Sequence, residues 1–163
     1  MSKELHELTQ NGIIFDMKPD AIPYNYRISY KVSLLCMILK MCGGRRGCSL
    51  VKIHILFSVL ENDKELDDLR KFIHQHGKMD LCVHFNPSVN RALEYSMAYK
   101  LVTQQVNGRY KLLTKGRLLV DKIMRDYCLL MEEKNVLDDI SINLTEEMIS
   151  EMHERWQILN DED

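Results

Sequence analysis

The sequence lacks a long hydrophobic run. Its longest uncharged apolar stretch covers residues 32–39, far short of the roughly 20 residues that a membrane-spanning helix needs. The N-terminal residues MSKELHELTQ contain no signal-peptide core, so we expect a cytoplasmic protein with no membrane contact. With 163 residues, 45% hydrophobic and 28% charged, the chain is typical of a single folded, soluble domain.

Patterns of paired cysteines and metal ligands are also missing. The five cysteines are odd in number and not closely paired, which favours thiols in a reducing compartment. Cys36, Cys42 and Cys48 recur every six residues, which is no zinc spacing. We interpret the histidines within 74–84 as surface residues, and we expect neither a metal nor a cofactor.

No pattern of catalytic residues is visible. The only glycine cluster, at 43–47, lacks the Gly-Lys-Ser/Thr ending of a phosphate-binding loop. The serines at 58, 88 and 96 fall in predicted helices, without the sharp turn that exposes a nucleophile. We therefore expect a protein that is not an enzyme.

Charge is distributed unevenly along the chain. Residues 131–163 contain eleven acidic and two basic side chains, whereas the rest contains twenty basic and thirteen acidic ones. One interpretation is a basic body that contacts phosphate or an acidic partner, with the acidic tail limiting non-specific binding. The other is a solvated acidic helix beside an ordinary surface.

Hydrophobic periodicity and turn residues predict mostly helices with a small amount of strand. Asn86-Pro87 is typical of a helix start, and Asn107-Gly108 of a two-residue hairpin turn. The predicted helices cover 30–41, 49–60, 62–76, 87–100, 114–133 and 145–159, and the predicted strands cover 13–15, 81–85, 101–106 and 109–113.

Helices followed by a helix–hairpin–helix unit predict a mostly α (α+β) fold with a winged helix-turn-helix core. The hairpin would be the wing, 87–100 the recognition helix, and 81–85 a third short strand. We expect an extended segment over 1–26, the winged-helix domain over 27–133, and an acidic amphipathic helix within 134–163 as an appendage.

A winged helix predicts binding, and two kinds of partner stay open for most of the candidate residues. The glycine-rich turn at 43–47 would contact DNA phosphate or an acidic partner through its two arginines, or would only end a helix with both arginines in solvent. Tyr95 and Tyr99 would anchor a partner protein, or pack against the hairpin. The candidates for DNA or partner contact are Arg45, Arg46, Asn90, Arg91, Tyr95, Tyr99, Arg109, Lys111, Lys115 and Arg117. For partner docking they are Ile149, Met152 and Trp156, which could also pack on the protein's own core.

Three runs carry a resemblance to a known family: RISYKVSLLCMILKMCGGRRGCSLVKIHIL, FNPSVNRALEYSMAYKLV and NGRYKLLTKGRLLVDKI. Over about residues 27–126 the chain resembles the small middle component of bacterial ABC-three-component systems, which include the Lamassu-type anti-phage defence operons. The matching positions are 42–48, 86–92 and 107–116. Arg46 departs from the shorter Gly-Gly-Arg-Gly turn expected there, and the acidic C-terminal helix is outside the pattern.

The resemblance implies a non-catalytic accessory subunit. Such a subunit docks an SMC-like or Rad50-like ABC ATPase and a separate effector, often a nuclease, and its DNA contact would be non-sequence-specific. The alternative is a homodimeric winged-helix repressor, with the helix predicted at 115–133 as its dimer seam.

Overall fold

The computed structural model describes residues 23–161, with side chains to residue 157. Over this range the protein is mostly helical, with a small antiparallel sheet, as the sequence predicted. The predicted strand at 13–15 lies outside the described residues. The elements are α1 (Ile28–Cys42), α2 (Leu50–Glu61), α3 (Asp63–His74), α4 (Pro87–Ala98), β1 (Val102–Gln104), β2 (Tyr110–Leu112), α5 (Thr114–Arg125), α6 (Met131–Ser141) and α7 (Glu146–Asp161).

Helix α1 is the centre of the core. Its residues 34–39 are all at most 5% exposed, and the helix packs against α4, α5 and α6. A helix that is apolar all round must be covered on every side, which explains this position. It ends at Gly43, where a Cβ atom would lie 2.5 Å from the carbonyl oxygen of Leu39.

Four helix starts are confirmed by their capping bonds. The side chains of Ser49, Asn62, Asn86 and Thr145 each accept a hydrogen bond from a backbone N–H two or three residues later. Pro87 occupies the first turn of α4, where its missing N–H costs nothing. These caps set where four helices around the core begin.

The hairpin forms where it was predicted, but the two-residue turn was wrong. The N–H of Gln105 donates to the carbonyl of Arg109 (2.8 Å), so the loop contains the three residues Val106, Asn107 and Gly108. Of these three loop residues, only Gly108 has a positive φ (79°). A three-residue loop needs a left-handed residue at its last position alone, and glycine supplies it.

The strand predicted at 81–85 is absent. Cys48 occupies the edge of β2 where that strand would have paired. One edge of β2 pairs with β1, and the other exchanges two backbone hydrogen bonds between Tyr110 and Cys48 (2.8 and 2.9 Å). Residues 81–85 form no regular structure. The third short pairing beside the hairpin is therefore supplied by the residue that follows the glycine-rich turn.

The long helix predicted over 114–133 is divided in two. The Asp126 carboxylate accepts hydrogen bonds from two backbone N–H groups just beyond it (3.0 and 3.2 Å), and Leu130 is left-handed (φ 53°). An aspartate that bonds nearby N–H groups competes with the helix. Tyr127, predicted in a helix seam, is 87% exposed in this break.

The predicted boundary between 133 and 134 falls inside α6. Leu137, Ile140 and Met152 are buried in the same core as α1, and the Arg155 guanidinium donates to the carbonyl of Gly77 (2.7 Å). The acidic helix α7 is therefore packed on the domain and is not a separate appendage, because its apolar face covers part of the common core.

The described part of the N-terminal segment, beginning at Pro23, is not fully extended. A short 3₁₀ helix covers Tyr24–Tyr26, and the rings of Tyr24 and Tyr30 meet edge to face at 5.2 Å. Residues 1–22 lie outside the described range. Within residues 23–161, no helix is long and apolar enough to cross a membrane.

Candidate functional site

The candidate site begins at the turn 43–48, which connects α1 and α2. Gly44 and Gly47 both have positive φ (53° and 78°). A Cβ atom on Gly47 would lie 2.4 Å from the carbonyl oxygen of Tyr110. Glycine at this position thus satisfies the backbone conformation and also allows β2 to approach. The two bonds between Cys48 and Tyr110 then fix the turn against the hairpin.

Three predicted contact residues meet at this turn. Arg45 and Arg46 are exposed on the turn, Arg109 is half-buried on the hairpin, and all three line one cavity of about 350 Å³. The Gln105 amide donates to the carbonyl of Arg46 (3.0 Å), which holds the turn to the hairpin a second time. We call these three arginines the basic surface.

Sequence reasoning missed a fourth basic residue, Lys52. It lines the same cavity, is 3% exposed, and donates from Nζ to the carbonyls of Cys42 (2.9 Å) and Leu144 (2.8 Å). Among the described side chains no carboxylate forms an ion pair with it within 4.0 Å. The signal in the sequence was a single lysine in the run 50–60, which contains no other Lys, Arg, Asp or Glu.

Acidic side chains from α7 form part of the same cavity wall. Glu146 accepts a hydrogen bond from the backbone N–H of Ser49 (2.9 Å), and Glu147 follows it. The cavity is therefore lined by four basic and two acidic side chains. The first acids of the C-terminal region lie beside the arginines, where their charge opposes anion binding.

The cysteines of this region are protonated thiols. Burial raises the pKa of Cys42 to about 11 and that of Cys48 to about 12, although the charge of Lys52 opposes both shifts. Burial also raises the pKa of Cys36 to about 12. Thiols in this state pack as small apolar groups. Within 23–161, no group of three His, Cys, Asp or Glu side chains could hold a metal ion.

Asn90, a predicted base reader, is exposed, but one end of its side chain is bound by the protein itself. The backbone N–H of Asn86 donates to Nδ1 of His54 (3.3 Å), so Nε2 carries the ring proton and donates to the Asn90 carbonyl oxygen (3.2 Å). His54 is 1% exposed, and burial lowers its pKa. The neutral imidazole therefore holds the start of α4, and one of the two polar ends of Asn90 is occupied.

The other candidates lie on α4 or at its C-terminal end. Arg91 is exposed, and Tyr95 and Tyr99 are 45% and 64% exposed, so part of each tyrosine side chain is accessible and part is covered. Neither tyrosine lines the cavity of the basic surface. An aromatic pair on an exposed helix face suits contact with a protein.

Three further basic candidates lie on β2 and on the first turn of α5, which packs closely at Gly116. A Cβ atom there would lie 2.3 Å from the carbonyl oxygen of Leu101, so α5 begins directly against the end of α4. Lys111 is half-buried on β2, and Lys115 and Arg117 are exposed on the first turn of α5. None of the three lines the cavity of the basic surface.

Two of the three predicted docking residues are not available to a partner. Ile149 is 3% exposed and Met152 is fully buried, and both belong to the protein's own core. Trp156 is partly buried against that core, with an edge contact to His153 (6.3 Å between ring centroids). The apolar face of α7 that contains these three residues packs inward because it covers an apolar surface of the common core.

Comparisons with protein-family models, with curated proteins and with solved structures find no match for this chain.

Proposed function

We propose that this chain is a winged-helix, non-catalytic accessory subunit of an SMC-like ATPase complex in anti-phage defence. It docks the ATPase and the effector, and it contacts the DNA backbone through the basic surface. The assignment to such a complex depends on the resemblance over residues 27–126. The contact surface depends on the geometry of the turn and the hairpin.

The arrangement of elements supports a winged helix. Helix α4 comes directly before the hairpin, as a recognition helix comes before its wing, and α5 follows. The isolated backbone bridge between Cys48 and Tyr110 also supports it, since a winged helix has a third short strand pairing beside its wing.

The observation that carries the DNA contact is the meeting of Arg45, Arg46 and Arg109 around one cavity. Guanidinium groups bind phosphate oxygens through paired N–H donors, and such contacts dominate sequence-independent affinity. Helix α4 offers few base readers, since one end of Asn90 is bound to His54. This favours a protein that contacts DNA without reading its sequence.

The repressor alternative is weaker because of the break at 126–130. Its dimer seam was a continuous helix over 115–133, and the structure divides that range between α5 and α6. The exposed residues 126–129 interrupt the helix, so the continuous helical seam of that alternative does not form. The exposed pair Tyr95 and Tyr99 instead offers a compact docking face at the C-terminal end of α4.

The first test measures binding to a random DNA duplex by fluorescence anisotropy at several salt concentrations. Replacing Arg45, Arg46 and Arg109 together by alanine should weaken binding at least about tenfold at low salt. The slope of log K against log salt should become shallower by about one for each phosphate that the variant no longer neutralises.

A matched control removes the same charge elsewhere. Lys78, Lys122 and Arg125 are exposed and lie outside the cavity, so their triple alanine variant changes net charge equally. If both triple variants bind DNA equally weakly, net charge and not the basic surface carries the binding. If the unmodified chain prefers one duplex by about a thousandfold, a repressor is the better account.

The second test is co-expression with the ATPase and effector encoded beside the gene, followed by size-exclusion chromatography with mass determination. We expect co-elution in one large assembly. Replacing Tyr95 and Tyr99 by alanine should reduce that co-elution, whereas replacing Tyr127, which is 87% exposed elsewhere, should not. Elution as a homodimer regardless of the neighbouring proteins would contradict the docking proposal.

A further inference from the structure

A second cavity lies between α2, α3 and the irregular segment 81–84, and three side chains form a chain of contacts at it. The Sγ atom of Cys82 lies 3.7 Å from Nε2 of His84, and Nδ1 of His84 lies 3.3 Å from a carboxylate oxygen of Glu65. All three residues line the cavity. A nucleophile, a base and a group that orients the base are the three parts of an activated thiol site.

We propose that Cys82 is a nucleophilic thiol, with His84 as its general base and Glu65 as the positioning residue. It forms mixed disulfides with small disulfide compounds that enter this cavity. The inference is independent of the DNA and partner contacts, because its cavity shares no lining residue with the cavity of the basic surface and is not lined by Tyr95 or Tyr99.

The cavity has the size and the lining of a small-molecule site. Its volume is about 370 Å³, within the range of ligand pockets. Apolar side chains from α2, α3 and the irregular segment line it together with polar ones, as in most such pockets. The apolar lining residues are Ile55, Val59, Leu69 and Leu81.

The proposed step is thiol–disulfide exchange. As the Cys82 sulfur attacks one sulfur of the disulfide, Nε2 of His84 takes the thiol proton. The new S–S bond forms while the S–S bond of the compound breaks, and the departing thiolate receives the proton from the imidazolium. Glu65 accepts the hydrogen bond of Nδ1, which holds the ring in the tautomer that leaves Nε2 able to accept. Electrons balance, since one disulfide replaces another.

The remaining cysteines of the chain differ from Cys82 in a way that supplies controls. Cys36, Cys42 and Cys48 are buried, and burial raises the pKa of each thiol. Cys128 is exposed like Cys82, but it lies beside the Asp126 carboxylate, and within residues 23–157 no imidazole is bonded to its sulfur. Reactivity that followed exposure alone would therefore be equal at Cys82 and Cys128.

The test compares the rates at which dithiodipyridine reacts with the two exposed thiols at pH 7. Thiopyridone release is followed in the Cys128→Ser and Cys82→Ser variants, and peptide masses identify the modified residue. We expect Cys82 to react about tenfold faster or more. Equal rates would overturn the proposal. With oxidised glutathione as the second probe, the mixed disulfide should form at Cys82 first, and preference for Cys128 would also overturn it.

A second set of variants tests the base. His84→Ala should lower the rate at Cys82 to about that of Cys128, and free imidazole should restore a large part of it, which a structural role would not allow. Glu65→Gln should lower the rate a few-fold. His74→Ala, an exposed histidine on α3, is the control and should change nothing. An unchanged rate in His84→Ala, with unfolding in urea also unchanged, would show an ordinary exposed thiol.

Discussion

The two connections 43–48 and 126–130 both join successive helices, but different groups hold them. In the first, Gly44 and Gly47 adopt left-handed backbone conformations, and backbone bonds tie the turn to β2. In the second, the Asp126 carboxylate binds backbone N–H groups, and the left-handed residue is Leu130. A connection built on glycine is visible in a sequence, whereas one built on side-chain bonds is not.

Each connection also has a lysine close after it that bridges two backbone carbonyls. Lys52 is buried and joins Cys42 to Leu144, which are far apart in the chain. Lys134 is half-buried and joins carbonyls of the α5 end, at Ile123 (2.7 Å) and at Asp126 (2.6 Å). The first bridge connects distant parts of the core, and the second closes a local loop. The same chemistry should therefore contribute more to stability at Lys52.

Of the substitutions that test this difference between the two connections, Gly47→Ala should lower the free energy of unfolding most. The substitution forces a side chain into a left-handed conformation and places Cβ 2.4 Å from the Tyr110 carbonyl oxygen. The free energy of unfolding, measured in urea, should fall by roughly 3 kcal/mol, from backbone strain and overpacking together.

Gly44→Ala is the matched control for that substitution. Gly44 also has a positive φ, but a Cβ atom there would meet nothing within 4 Å. Gly44→Ala should therefore lower the free energy of unfolding only through backbone strain, by about 1 kcal/mol. Equal losses for Gly44 and Gly47 would mean that the close approach of the turn to β2 contributes nothing.

A smaller effect is expected from Lys52→Met. The substitution leaves the carbonyls of Cys42 and Leu144 buried without their donor, which should lower the free energy of unfolding by about 2 kcal/mol. Lys40→Met, at an exposed position near the end of α1, should change it by less than about 0.5 kcal/mol. A variant at 52 as stable as the original protein would show that the bridge is not needed.

Apart from the control substitutions, the smallest loss is expected from Lys134→Met, about 1 kcal/mol in the same urea measurement. Water can reach one of the two carbonyls that Lys134 leaves, since its bond to Asp126 is exposed. The bridge at Lys134 is local, so it should contribute less to stability than the bridge at Lys52. If Lys134→Met lowered the free energy of unfolding as much as Lys52→Met or more, that expectation would be wrong.

Sequence reasoning succeeded where local chemistry decides. Ser49, Asn62 and Asn86 begin helices as expected, and the Asn107-Gly108 region forms the hairpin. The glycine-rich turn was recognised as the place where two arginines are exposed. These features depend on groups within a few residues of one another.

It failed where distant parts of the chain compete for one position. Cys48 pairs with the edge of β2, so the predicted strand at 81–85 has no partner there. Ile149 and Met152 were predicted as partner contacts, with packing on the protein's own core as the alternative, and the core covers them. In the candidate site, the role of Lys52 was invisible because both of its acceptors lie outside its own helix.

Residue order alone accounts for the mostly helical class, the start of most helices, the hairpin, and the charge of the residues that the turn exposes. Caps, glycine conformations and hydrophobic periodicity act over a few residues, so the order of residues is enough to decide them. Packing between distant elements, and no local pattern, brings Arg109 to Arg45 and Arg46, and brings Glu65 and His84 to Cys82 at one cavity. Those meetings depend on which apolar faces cover one another, a choice that the whole core makes at once.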